Sequence, residues 1–224
     1  MKVPLLPYLV LISMGAAWGL SIPLTKITVS TGYGQFGLIF WQFVVAAIVL
    51  GFVLVVRRKR PLFERKTILL FIVLALLGTI FPNSASYVAT YYLPASFIAI
   101  LIATVPMFSF PIAMLMGLEK KDFRRISGLF IGLLGVVILT APEVSFPDRH
   151  LLIFIPLALL APFFYAIEGN YVDKYGTAGQ DPIQTFTGAS ILGTFMILPV
   201  TIFTGQWIDP FQPWPIENYT HIAS

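Results

Sequence analysis

Polar side chains recur at helical spacing within one long apolar segment of this chain. Asn83, Ser86, Tyr87 and Thr90 stand at i, i+3, i+4 and i+7, so they share one helix face just after Pro82. Polar groups in an apolar helix prefer the interior of a bundle or a water-filled cavity. The stripe is therefore predicted to line a cavity, and hydrogen bonding between helices without a ligand is the alternative.

Glu168 is the one acidic residue that falls inside an apolar segment long enough to cross a membrane. Inserting a carboxylate into a bilayer is costly, and such residues are functional candidates by default. The sequence supports two interpretations equally. In the first, Glu168 carries a proton. In the second, it lies one helical turn (~5 Å) from the end of its helix and reaches headgroup water.

Enzyme and metal chemistry find no support among the remaining residues. The chain contains no Cys and two His, which excludes disulfides, thiolate metal sites and Cys nucleophiles. His150 and His221 both fall outside the apolar segments. A membrane hydrolase needs a nucleophile with a base, or clustered metal ligands. We therefore expect no enzyme activity, no metal site and no cofactor.

The elements that position these candidates are membrane helices. The chain has 224 residues, of which 58% are hydrophobic and 11% charged, with a mean hydropathy of +0.88. Soluble domains carry roughly 25% charged residues, so a soluble domain is excluded, and so is disorder. Apolar runs such as 68–81 and 129–139 do not alternate as barrel strands do. The predicted fold class is an all-α integral membrane bundle.

Seven segments of the chain are long enough to span a bilayer core, which takes about 20 residues per helix. The first, with small residues at 15–17, could instead be a signal peptide, but its apolar run continues to Leu24. The predicted spans are 5–25, 36–56, 67–92, 95–117, 124–142, 151–172 and 183–204.

Basic residues give these spans an orientation. Twelve of the fourteen Lys and Arg residues fall on one side if the N-terminus is cytoplasmic, mostly in the loops 57–66 and 120–125. The sequence thus predicts a multi-pass membrane protein with a cytoplasmic N-terminus. An anionic-lipid or nucleic-acid patch at 57–66 is the weaker interpretation, and nucleic acid is not an expected partner.

When the sequence is aligned with itself at an offset of 147 positions, the sixth span aligns with the first and the seventh with the second. Five helices in the first unit would place the second upside down, which is the inverted-repeat plan of many secondary transporters. The predicted division is a first repeat at 1–142 and an incomplete second repeat at 143–224. Trp18 and Tyr165 then lie near the repeat interface, where an aromatic ring could gate or stack on a substrate.

Residues 84–142 carry an ordered succession of motifs. It runs YVATYYLPAS at 87–96, AIL at 99–101, VPMF at 105–108, GLEK at 117–120 and GLFIGLLGVVIL at 128–139. With Trp18-Gly19 in the first span, the succession resembles the EamA domain of the drug/metabolite transporter superfamily. The resemblance implies ten helices in two inverted repeats, a central substrate pathway, and export or exchange of small metabolites across the cell inner membrane. Gln42 stands where family proteins often carry Arg, and this departure weakens the inference that the pathway attracts anions.

Two further patterns concern helix geometry. Gly128, Gly132 and Gly135 lie at i, i+4 and i+7, a small-residue face that predicts close helix packing. Pro106 removes the backbone hydrogen bond to Ile102, so a kink is expected there, either static or as a hinge beside the cavity. The candidate substrate pathway comprises Trp18, Ser21, Asn83, Tyr87, Pro106, Tyr165, Glu168 and Thr187.

The predicted function is that of a secondary transporter of amino-acid-like or drug-like metabolites, working by alternating access with export as the expected direction. Its expected partners are the lipid bilayer, a small-molecule substrate, and a proton or an exchanged metabolite. The alternative is a non-transporting membrane protein, either an assembly partner or an inactive transporter fragment. Residues 1–224 alone are expected to insert in the membrane. Because the second repeat is incomplete, one side of the central cavity would lack a wall, and we expect transport only if a second chain supplies it.

Overall fold

The computed structural model describes residues 5–120, 122–140, 151 and 153–211, and throughout this part of the chain the regular structure is helical. This confirms the predicted all-α fold class. The helices are α1 (Leu5–Ser30), α2 (Gln35–Val56), α3 (Arg65–Ala75), α4 (Phe81–Tyr92), α5 (Ala95–Ile102), α6 (Val105–Leu115), α7 (Phe123–Thr140), α8 (Phe154–Tyr175) and α9 (Pro182–Phe203).

Six helical stretches are long and apolar enough to cross a membrane. α7, at the predicted span 124–142, is helical but is not among these six, so its crossing stays a prediction. The six stretches are Leu6–Ser30, Gln35–Val56, Arg65–Tyr92, Ala95–Leu115, Phe154–Tyr175 and Pro182–Phe203.

Two predicted bounds were wrong by several residues. α1 continues to Ser30 instead of ending at 25, because the Lys26 ammonium, which marked the predicted end, donates to the Thr90 and Tyr91 carbonyl oxygens at 2.9 and 3.0 Å. The sixth span was predicted at 151–172 and forms Phe154–Tyr175.

Prolines set the irregularities of two spans. A π turn, Leu76–Ile80, joins α3 to α4, and the Phe81 N–H bonds to the Leu76 carbonyl five residues back. Pro82, next in the chain, has no N–H to give, and a local π turn accommodates proline in membrane helices. Near Pro106, where a kink was predicted, the helix is interrupted: α5 ends at Ile102 and α6 starts at Val105.

α2 and α9 make the most extensive contact between two helices of the described residues and lie antiparallel along most of their length. Ile39, Phe40, Phe43 and Ile197 are buried between them. The Phe43 ring packs on Gly193, where a Cβ would clash with it. Around this pair, α3 packs on α9, both α4 and α6 pack on α8, and α1 packs on α4.

α2 and α9 also correspond in sequence position. Both have 22 residues, and both bounds differ by 147 positions, from Gln35 to Pro182 and from Val56 to Phe203. Left-handed backbone recurs at the same offset, with φ of 88° at Gly32 and 80° at Gly179, and 52° at Arg58 and 67° at Gly205. Helix and turns thus follow the offset found in the sequence, whereas the predicted division at 142/143 lies outside the described residues.

Candidate functional site

A cavity of about 290 Å³ lies between α1, α2, α4, α5 and α8, and we call it the polar cavity. Five residues of the predicted pathway line it, from three helices. Its described lining contains no charged side chain. The lining residues are Trp18, Ser21, Ile22, Thr25, Gln42, Asn83, Ser86, Tyr87, Thr90, Ile98, Ile102 and Tyr165.

A chain of hydrogen bonds crosses this cavity and joins three helices. The Gln42 side-chain oxygen accepts from Asn83 Nδ2 at 2.8 Å and from the Tyr87 hydroxyl at 3.1 Å. Asn83 Oδ1 in turn accepts from the Tyr165 hydroxyl at 3.1 Å. α2, α4 and α8 therefore share one polar network, and its members hold each other's orientation.

An aromatic pair forms one wall of the cavity. The rings of Trp18 and Tyr165 meet edge to face, with centroids 6.3 Å apart and planes at 73°. The Ser21 hydroxyl bonds to the Trp18 carbonyl at 2.6 Å, within α1. Trp18 and Tyr165, which the repeat predicts near its interface, are therefore in direct ring contact.

Several polar groups of the lining have capacity left for a ligand. Thr90 lines the cavity and is only 1% exposed. Its Oγ1 atom is buried and has no hydrogen-bond partner. Among the described residues, the hydroxyls of Thr25 and Ser86 and the side-chain nitrogen of Gln42 also lack partners. An unpaired buried hydroxyl costs about 1–3 kcal/mol, so a group that bonds Thr90 from the cavity would recover that cost.

The model of the EamA-like transporter family matches residues 5–141, more than half of the chain. The chain belongs to this family. No curated protein matches the chain, and no solved structure matches it. Membership makes this EamA-like protein a membrane transporter of small solutes, from a family that is not one of enzymes.

Glu168 of the EamA-like protein lies outside the lining of the polar cavity. It follows Tyr165 by one turn of α8, and its carboxylate packs against Gly78 in the π turn. A Cβ at position 78 would come within 2.7 Å of Glu168 Oε1. The carboxylate therefore lies beside the π turn of the facing helix, at a glycine that has no side chain.

The other predicted pathway residues are also apart from the polar cavity. Pro106 and Gly128 line a second pocket of about 570 Å³ among α6, α7 and α8. Thr187 is buried in α9, and its hydroxyl donates at 2.6 Å to the Ile183 carbonyl of its own helix. A Cβ added at Gly128, Gly132 or Gly135 meets nothing within 4 Å, so their packing role stays a prediction.

Gln42 is the member of the hydrogen-bonded network that sequence reasoning did not place in the site. It was noted only as a departure from the family pattern. Its signal was nevertheless present, because it is an amide in the middle of the otherwise apolar helix α2. A polar side chain in such a helix points to the bundle interior.

One end of the bundle, where the loop 57–64 joins α2 to α3, carries an ionic contact that we call the basic-end contact. Lys59 Nζ lies 2.8 Å and Arg57 3.5 Å from the carboxylate of Asp181, the N-cap of α9. The Lys59 hydrogen bond is the largest cause that holds the pKa of Asp181 below its usual value, followed by the Gln184 N–H.

The other end of the bundle has an uncharged counterpart, the opposite-end contact. Gln206 Oε1 accepts from the Phe36 N–H at 2.9 Å, and Trp41 Nε1 donates to the Ile208 carbonyl at 2.8 Å. Gln206 follows Lys59 by the 147-residue offset. In each contact, a residue just after one helix of the α2–α9 pair contacts the start of the other helix.

Proposed function

We propose that this EamA-like protein is a secondary transporter of amino-acid-like or drug-like metabolites that works by alternating access. The observation that carries the proposal is the convergence of Trp18, Ser21, Asn83, Tyr87 and Tyr165 on one polar cavity. Their helices, α1, α4 and α8, belong to both predicted repeats. Alternating access in inverted-repeat transporters places the substrate site at such an interface.

The two end contacts support this mechanism. α2 and α9 are tied to each other's flanking segments at both ends of the bundle. Opening a path to one side requires that one contact part while the other holds. The polar cavity would then be exposed alternately to the two sides, with export as the proposed direction.

The proposed location is the inner membrane, with the N-terminus and the basic end in the cytoplasm. The excess of Lys and Arg in loops 57–66 and 120–125 supports this orientation. A reporter fused after Arg60 should be active only in the cytoplasm, and one fused after Phe211 only outside it. The reverse pattern would contradict the orientation.

Transport itself is tested by efflux. Cells that express the protein are loaded with a panel of labelled amino acids and neutral drugs, and loss of label is followed with time. Saturable efflux that falls in Asn83→Leu and Tyr165→Phe supports the proposal. Its absence for the whole panel, with the protein inserted, would favour a non-transporting membrane protein.

We further propose a proton as the coupling partner, carried by Glu168. The half-buried carboxylate faces Gly78 and has no hydrogen-bond partner among the described residues, so it is free to bind and release a proton. In proteoliposomes, Glu168→Gln should abolish the dependence of transport on a pH gradient. The exposed Asp173→Asn, on the same helix, is the control and should leave it intact. Unchanged coupling in Glu168→Gln would contradict the proposal.

A further inference from the structure

We infer that the polar cavity takes small uncharged solutes rich in hydrogen-bonding groups and rejects ions of the same size. The inference rests on the proposed transport function and narrows its substrate class to neutral, drug-like metabolites, because an amino-acid zwitterion carries a charged ammonium and a charged carboxylate. It stands on three features of the cavity: the charges around it, its unpaired polar groups and its size.

The charged groups nearest to the cavity lie outside its lining. The Lys26 ammonium, next to Thr25 in α1, is held by the Thr90 and Tyr91 carbonyls at the end of α4. The Glu168 carboxylate is one turn away, against Gly78. An ion in the cavity would lack a countercharge among the residues that line it, and an unpaired buried charge is strongly disfavoured.

The unpaired polar groups of the cavity suit a neutral amide or a similar group. Thr90 Oγ1 is buried without a partner, and it can both donate and accept. The free hydroxyls of Thr25 and Ser86 have the same capacity, and the Gln42 nitrogen donates. A solute that offers both a carbonyl oxygen and an N–H would satisfy such groups without a net charge.

The polar cavity has the volume of a small ring, and it shares Ser21, Thr25, Gln42 and Tyr87 with a larger open pocket between α1 and α2. At about 30 Å³ for each water-sized atom, a volume of about 290 Å³ holds about ten non-hydrogen atoms. Trp18 and Tyr165 supply an aromatic wall, against which a planar ring packs well. The fitting solute is therefore a single planar ring with a polar, uncharged substituent.

Three probes of one ring size test this class. Nicotinamide is neutral, nicotinate is an anion and 1-methylnicotinamide is a cation at pH 7. Their binding to the protein in lipid nanodiscs is measured by calorimetry, at equilibrium and without any gradient. Nicotinamide should bind at least about tenfold more tightly than either ion, which corresponds to about 1.4 kcal/mol. Equal or tighter binding of an ion, or no binding of nicotinamide, would overturn the inference.

Matched variants locate the binding. Thr90→Val removes the unpaired hydroxyl and should weaken nicotinamide binding about three- to tenfold. Thr194→Val makes the same change in α9, where the hydroxyl bonds to the Ser190 carbonyl of its own helix, and should leave binding unchanged. Ser86→Asp should reverse the preference towards 1-methylnicotinamide. An unaltered affinity in Thr90→Val with an unaltered preference in Ser86→Asp would place binding elsewhere and overturn the inference.

These outcomes separate the inference from the proposed function. If ions bind best while efflux proceeds, the substrate class is wrong and the transporter proposal stands. If nicotinamide binds with the expected preference and no solute of the panel is exported, the substrate class stands and the transporter proposal fails.

Discussion

Gln42 matters because one oxygen atom serves two donors from another helix. In Gln42→Leu, Asn83 Nδ2 and the Tyr87 hydroxyl both lose their acceptor. Polar hydrogen bonds in membrane bundles contribute about 0.6–1.7 kcal/mol each, so we expect a lower thermal unfolding midpoint and weaker solute transport. Equal midpoints for Gln42→Leu and the parent would contradict the network.

Gly78 is the residue that gives the Glu168 carboxylate its place. Gly78→Ala adds a Cβ that would come within 2.7 Å of Glu168 Oε1, whereas a Cβ at Gly51 meets nothing within 4 Å. We expect Gly78→Ala to displace the carboxylate and to change the pH dependence of transport. Gly51→Ala, the control, should preserve it. The same pH profile in both variants would show that the contact with Gly78 has no part in coupling.

Residue types predicted much of the candidate site, and spacing predicted which of them share a face. Asn83 and Tyr87 were found because polar residues at helical spacing are rare in an apolar span. The repeat, which relates α1 to α8, predicted that Trp18 and Tyr165 lie near its interface, but not that their rings touch. The position of Glu168 beside a π turn could not be predicted, because it depends on how α8 packs against a helix distant in sequence.

At the scale of helices, the basic-end contact should respond to pH and the opposite-end contact should not. The pKa of Asp181 is lowered by its bond to Lys59, so its contribution is present above the usual Asp pKa. It is lost as pH falls through the lowered pKa. Asp181→Asn should therefore lower the thermal unfolding midpoint at pH 7 by a small amount, and the difference from the parent should vanish at low pH and in high salt.

Gln206→Ala provides the matched comparison for Asp181→Asn. It removes the uncharged acceptor of the Phe36 N–H at the opposite end. Because no ionisable group takes part in that bond, its effect on the midpoint should be the same at every pH and salt concentration tested. A pH-independent effect of Asp181→Asn would contradict the ionic origin of the basic-end contact.

Hydropathy predicted where the helices are but not how they deviate from regular geometry. An apolar run of about 20 residues specifies a span whatever it packs against, so the bounds of α2 and α9 were predicted within a residue or two. The end of α1 was missed because Lys26 is satisfied by carbonyl groups of α4. Such a partner is distant in sequence, and its contribution arises only when the helices assemble.

At the scale of the whole molecule, the repeat relates the groove between α1 and α2 to the groove between α8 and α9. The groove between α8 and α9 is filled, because α3 packs on α9 and α4 packs on α8. The groove between α1 and α2 is open, with a volume of about 730 Å³ and a mostly apolar lining. Val45 in α2 lines this groove and is 56% exposed. Leu192, 147 positions later in α9, packs on the buried cluster of Leu70 and Phe71.

Tryptophan substitutions at these two positions test whether the open groove is also open in the membrane. Leu192→Trp overfills a packed site and should lower the free energy of unfolding by about 1–3 kcal/mol. Val45→Trp enters free space and should change it by less than about 0.5 kcal/mol. Both are measured by thermal unfolding in nanodiscs. An equal loss in Val45→Trp would show that a helix from outside the described residues fills the groove. Light scattering would then show whether that helix comes from a second copy of the chain, because only in that case does the Val45→Trp variant lose mass relative to the parent.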